Sequence, residues 1–93
     1  MVKVSEINGK KVITRDAFDV GKVSGAEMDY QWKITHVYVD LSKDATNELG
    51  FSKPILGHIT LALLVNLIQG HGDVITLSKT REELKGIPEY RAH

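Results

Sequence analysis

The sequence predicts a small, mainly β domain: a curled sheet or barrel of five to six short strands, with one helical turn and a short C-terminal helix. Three observations carry this. β-Branched and aromatic residues are densest over Trp32 to Leu41, WKITHVYVDL, a composition that suits a half-buried pleated surface. A second alternation runs from Ile55 to Leu63, with Ile55, Ile59, Leu61 and Leu63 on one face and His58, Thr60 and Ala62 on the other. Turn signals then recur at the close spacing of a small barrel. The 93 residues suffice for one hydrophobic core and no second one.

Taken in order, Val2 to Ile7 alternates weakly and ends at the turn dipeptide Asn8-Gly9. Lys11 to Thr14 reads as a short strand around Val12 and Ile13, and DAFDVG, Asp16 to Gly21, reads as a turn. A longer strand starts at Gly21-Lys22-Val23 and runs to Asp29, with Gly25 marking a bulge where a sheet curls. Tyr30-Gln31 is the expected hairpin tip. In the strand that follows, Thr35, Val37, Val39 and Leu41 face inward, and Trp32, Ile34 and Tyr38 face outward.

Ser42 to Ser52 is polar, with a helical turn over Asp44 to Leu49 that ends at Gly50. After the Ile55–Leu63 strand, Leu64, Val65, Leu67 and Ile68 take helical spacing for one turn. Gly70 and Gly72 are expected to stop it at positive φ, and Asp73 leads into a strand over Val74 to Leu77. An alternative makes Ile59 to Gln69 one amphipathic helix, which Leu, Ala and Gln favour in isolation; the alternation already running through Thr60 speaks against it. Thr80 and Glu83 form a capping-box pattern, with Gly86 and Pro88 as stops. The domain is expected over 1–88, with a frayed, flexible tail at 89–93.

Composition narrows the functions. Lys plus Arg is 12 and Asp plus Glu is 12, and this charge balance weakens, without excluding, a nucleic-acid reading, because such binders usually carry a positive excess. The chain has no cysteine, which removes disulfides, thiolate chemistry and cysteine-based zinc sites. The N-terminus lacks the apolar stretch of a signal peptide. The longest apolar run, Leu61 to Val65, is far below the roughly 20 residues that span a bilayer. A cytoplasmic protein that does not insert directly into membranes is expected.

The order of the pieces, VSEINGKKVIT, then VGKV, WKITHVYVDL, PILGHITLALLVNLIQGHGDVITL and TREELK, resembles the PRC-barrel family. That family includes the cytoplasmic domain of the photosynthetic reaction-centre H subunit and the C-terminal domain of the ribosome maturation factor RimM. The resemblance covers Val4 to Lys85. It rests on Gly9 with the following strand, on Gly21-Lys22-Val23, and on Gly72-Asp73-Val74. The short Glu-Glu-Leu ending is most similar to the small stand-alone archaeal branch. The chain departs from the family at LALLVNLI, a surplus of leucine that implies extra apolar surface.

The resemblance implies a PRC-type β-barrel and a non-catalytic adaptor without cofactor. It implies a homodimer that partners the archaeal division machinery of the SepF and FtsZ type. A RimM-like accessory role in ribosome assembly or RNA processing is the alternative. The candidate protein interface is Trp32, Ile34, Tyr38, Leu61, Leu63, Leu64 and Leu67, because one small barrel would not bury every leucine and leftover apolar surface marks an interface. Gly9, Gly21, Gly70, Gly72 and Asp73 are assigned to turns and packing.

Chemical constellations are weak by comparison. His58, His71 and Asp73 are an acceptable zinc set, but their spacing matches no metal motif, and hydrogen-bonded surface histidines account for them. His36 and Asp40 share a strand face at about 13 Å, too far for acid–base work. Gly70-His71-Gly72-Asp73 looks like a phosphate loop yet precedes a strand, while phosphate loops lead into helices. Tyr30, Trp32 and Tyr38 could stack bases, but only Lys33 accompanies them; a barrel cover or a protein interface suits them better. Lys10, Lys11 and Arg15 read as a solvated face balanced by Asp16 and Asp19.

Overall fold

The computed structural model describes residues 3–51, 59–85 and 89–90, the side chains of Val4, His71, Glu89 and Tyr90 excepted. It is mainly β, one mixed sheet with a few short helices. In chain order the elements are α1 (Val4–Ile7), β1 (Lys11–Ile13), β2 (Asp19–Met28), β3 (Ile34–Leu41), α2 (Lys43–Glu48), β4 (Thr60–Leu64), a 3-10 turn (Val65–Leu67), β5 (Ile68–His71), β6 (Val74–Leu77), α3 (Arg81–Leu84) and β7 (Glu89–Tyr90). The strands lie in the order β5-β6-β1-β2-β3-β4-β7. The β1–β6 pair is parallel and the others are antiparallel.

Connectivity forces this sheet to curl. β4 and β5 stand five places apart in the order, a distance of about 24 Å if the sheet were flat. Only Val65–Leu67 joins them, a reach of at most about 14 Å. The sheet must therefore bend until the two strands approach. A bulge in β2 supplies part of that bend, where the register with β3 shifts between Val23 and Gly25. Among the described residues no ladder joins β4 to β5, so the sheet is curled but open, with edges at β5 and β7.

One face of the curl is the core. Val37 and Val39 of β3 sit opposite Leu63 and Leu61 of β4, and Val12 of β1 sits opposite Ile75 of β6. All six are buried. Short helices close the core with Ile7 from α1, Ala45 from α2, Leu49 just beyond it, and Leu84 from α3. The Ser42 hydroxyl caps α2 by accepting from Ala45 N. α3 opens on the expected capping box, with Glu83 N donating to Thr80 Oγ1 and Thr80 N to Glu83 Oε1. Its first residue is tied to the β1–β2 turn, because Arg81 N donates to Asp16 Oδ1 and the guanidinium lies 5.3 Å from the centre of the Phe18 ring.

Several expectations need correction. The weak alternation over Val2 to Ile7 is a single helical turn, because seating Ile7 in the core outweighs so short a strand pattern. Gly70 and Gly72 do not end a helix at positive φ. Gly70 lies inside β5, a strand the glycines concealed, and Gly72 with Asp73 forms the tight connection to β6. Among the described glycines, positive φ is found instead at Gly9, Gly21 and Gly50. At Gly21 (φ 153°) an added Cβ would also strike the Asp40 carbonyl across the ladder. The three-turn helix over Ile59 to Gln69 does not form. Glu89 and Tyr90, assigned to the tail, pair with Leu61 and Thr60 as β7.

Candidate protein-docking hairpin

Among the described residues the most exposed apolar side chains gather at the end of the β2–β3 hairpin. Tyr30 is fully exposed, Trp32 is 83% exposed and Met28 is half exposed. The loop that carries them is built by Asp29. Its Oδ1 accepts from Gln31 N at 2.8 Å and from Lys33 N at 3.1 Å. Its carbonyl accepts from Trp32 N, and its own N donates to Lys33 O. This is a three-residue loop, a tight turn followed by one left-handed residue. That residue is Trp32, at φ 64°. Glycine is the usual occupant there, and a bulky side chain at positive φ is a conformational outlier.

Trp32 is therefore not on the outer face of β3, where the β-rich composition of WKITHVYVDL places it; the strand begins at Ile34. Ile34 lies opposite Met28 and is half-buried. Tyr38 is on the outer face, and its hydroxyl donates to Glu27 Oε2 at 2.9 Å. Glu27 is also 4.0 Å from His36 Nδ1, which sits 2.9 Å from Thr35 Oγ1. His36 and Asp40 do not meet. Asp40 instead accepts from the Thr60 hydroxyl at 2.8 Å.

Two of the candidate interface residues fail on burial. Leu61 is 0% and Leu63 2% exposed, both facing the core. The helices add apolar surface that lets the interior take them. Leu64, one residue out of phase, is half exposed. With Leu67, His36 and Ala62 it lines a groove of about 440 Å³ walled by Lys79 and Glu83. A second cleft, of about 540 Å³, is formed by the hairpin itself between Glu27, Met28, Asp29, Tyr30, Trp32 and Thr35. Sequence reasoning missed Glu27, Met28 and Asp29. The available signal was Asp29 at the head of a short loop, where aspartate bonds to backbone N–H groups two residues on.

No protein-family model and no curated protein matches the chain.

Among the described residues no group of three or more His, Asp or Glu side chains is placed to hold a metal ion. Within the trio of His58, His71 and Asp73, His58 and the His71 side chain lie outside the described residues. No described helix is long and apolar enough to cross a membrane. Among the described residues two carboxylates are perturbed, both at the α3 end. Glu83 is held below the ordinary glutamate range, first by the backbone N–H of Thr80 and then by its hydroxyl, with Lys79 and Arg15 adding. Asp16 is lowered chiefly by its hydrogen bond from the Thr14 hydroxyl, with the Arg81 N–H and charge behind it.

Proposed function

We propose that this chain is a non-catalytic adaptor of PRC-barrel type that docks a protein partner on the β2–β3 hairpin. The carrying observation is the exposure of Tyr30 and Trp32 on a loop braced by Asp29. Large aromatic side chains pre-organised at a surface are what protein interfaces use as anchors. The strained backbone at Trp32 fits that role, since such strain clusters where function demands it. The curled open sheet is compatible with the PRC-type barrel that the chain order resembles. That resemblance supports a cytoplasmic homodimer serving the archaeal division complex, with the exposed Leu64 and Val65 as apolar surface for a second copy.

The test is affinity capture from the source organism's lysate with wild-type protein and with Trp32→Ala, each with and without nuclease, and read by mass spectrometry. Division or membrane-anchor proteins that survive nuclease and vanish with Trp32→Ala would bear out the reading. Capture of ribosomal proteins that nuclease abolishes would replace it with the RimM-like role. Sedimentation at tens of micromolar tests the dimer separately, and a monomer there would refute it.

A further inference from the structure

We infer that the hairpin cleft is a receptor for a cationic side chain, so that the docked partner presents a basic, arginine-rich segment. The inference rests on the docking reading above and adds the chemistry of the partner. Its basis is charge and aromatic complementarity within one cleft.

The cleft combines two kinds of wall. Tyr30 and Trp32 supply aromatic faces, whose negative quadrupole attracts a guanidinium or ammonium group. Glu27 and Asp29 are the acidic residues of its lining. Both accept hydrogen bonds from within the hairpin. Glu27 is fixed by the Tyr38 hydroxyl. Asp29 uses Oδ1 for both loop N–H groups, and its Oδ2 accepts no hydrogen bond among the described residues. Lys33, the cation of the loop, forms no ion pair with either carboxylate among the described residues; His36, whose Nδ1 lies 4.0 Å from Glu27 Oε2, is not part of the cleft lining. Met28 adds an adaptable apolar surface for the aliphatic stem of the incoming side chain.

The same charges disfavour the other occupants of an aromatic tip. An anionic bilayer or a phosphate backbone would meet two acidic residues with Lys33 as the one basic residue of the loop, short of the basic cluster that such surfaces need. Arginine is favoured over lysine because its planar group can stack on a ring and pair with a carboxylate together.

Trp32 is the only tryptophan in the chain, so its fluorescence reports on this cleft alone. The experiment titrates the full protein with end-blocked hexaarginine, hexalysine and hexaglutamate, at about 50 and about 300 mM salt. Hexaarginine should change the emission saturably, more tightly than hexalysine and more weakly at the higher salt, and hexaglutamate should not. The double variant Glu27→Gln, Asp29→Asn keeps an acceptor at position 29 for the loop. It should weaken hexaarginine about tenfold, since each exposed ion pair is worth about two- to fivefold. Tyr30→Leu should weaken it about threefold and Tyr30→Phe should restore it.

An equal response to hexaglutamate, an unchanged affinity in the charge-neutral variant, or no response to hexaarginine would overturn the inference. So would a blue shift on phosphatidylglycerol vesicles with none on hexaarginine, which would make the tip a membrane anchor. If hexaarginine fails while Trp32→Ala still abolishes lysate capture, the docking surface stands and its cationic partner falls.

Discussion

Trp32 offers a direct test of how the hairpin is built, because two substitutions that both delete the ring should differ in stability. The side chain is 83% exposed, so about one-sixth of it is covered. At roughly 25 cal/mol per Å² on a ring burying up to about 250 Å², its loss costs about 1 kcal/mol in either variant. The backbone separates them. At φ 64° alanine keeps the left-handed penalty of about 1–2 kcal/mol, while glycine sheds it and gives back about 0.4–1 kcal/mol through its freer unfolded chain. Trp32→Gly should exceed Trp32→Ala by about 0.5–1 kcal/mol, or roughly 2–8 °C in Tm for a domain of this size. Calorimetry of both variants reads the difference. The neighbouring Gln31 has no positive φ, so Gln31→Gly should melt below Gln31→Ala. If Trp32→Ala melts at or above Trp32→Gly, the left-handed loop and the strain argument built on it are wrong.

Three further outcomes follow from burial, crowding and charge. Leu61→Ala should cost about 2–5 kcal/mol in urea unfolding, whereas Leu64→Ala, three positions on and half exposed, should cost under about 1 kcal/mol; equal losses would contradict this difference in burial. Gly21→Ala should fold poorly, because its Cβ meets the Asp40 carbonyl, while Gly72→Ala has open space and should stay within about 1 kcal/mol of wild type. Asp16 and Glu83 have folded-state pKa values below their ordinary ones, so the unfolded chain binds protons first on acidification. Stability should hold above the ordinary carboxylate range, fall progressively below about pH 4, and fall less steeply in Asp16→Asn. Thermal melts across pH 3 to 7 that show no difference between Asp16→Asn and wild type would contradict this.

What the sequence made legible was local. The Thr80–Glu83 capping box, the Gly25 bulge and the inward phase of Val37, Val39 and Leu41 are all present. Each depends on residues within a few positions of one another. β5 was hidden because Gly70 and Gly72 punctuate like a loop, and pairing with β6 overrides that weak preference. Trp32 was misplaced because its β propensity says strand, while the hydrogen bonds to Asp29 hold it in a loop. Leu61 and Leu63 had the right phase and the wrong role. Strand patterns do not reveal how much extra interior Leu49, Leu84 and Ala45 create when the short helices close over the sheet. The cleft at the hairpin tip is lined by residues close in sequence, but its shape depends on the loop that Asp29 builds through its hydrogen bonds to Gln31 N and Lys33 N, which composition does not reveal.

The parallel pairing of β1 with β6 sets a schedule for synthesis. Lys11 of β1 aligns with Val74, so one side of β1 waits for a partner made some sixty residues later. At about 5–20 residues per second, that is roughly 3–12 s of elongation during which β1 can pair only with β2. Until then Val12 lacks Ile75, its buried neighbour across the pair, and the nascent sheet carries an open apolar edge. The β2–β3–β4 meander can assemble from near neighbours, but the interior is sealed only when the last third of the chain returns to the first strand. The nascent protein should therefore need shielding longest at its N-terminal end.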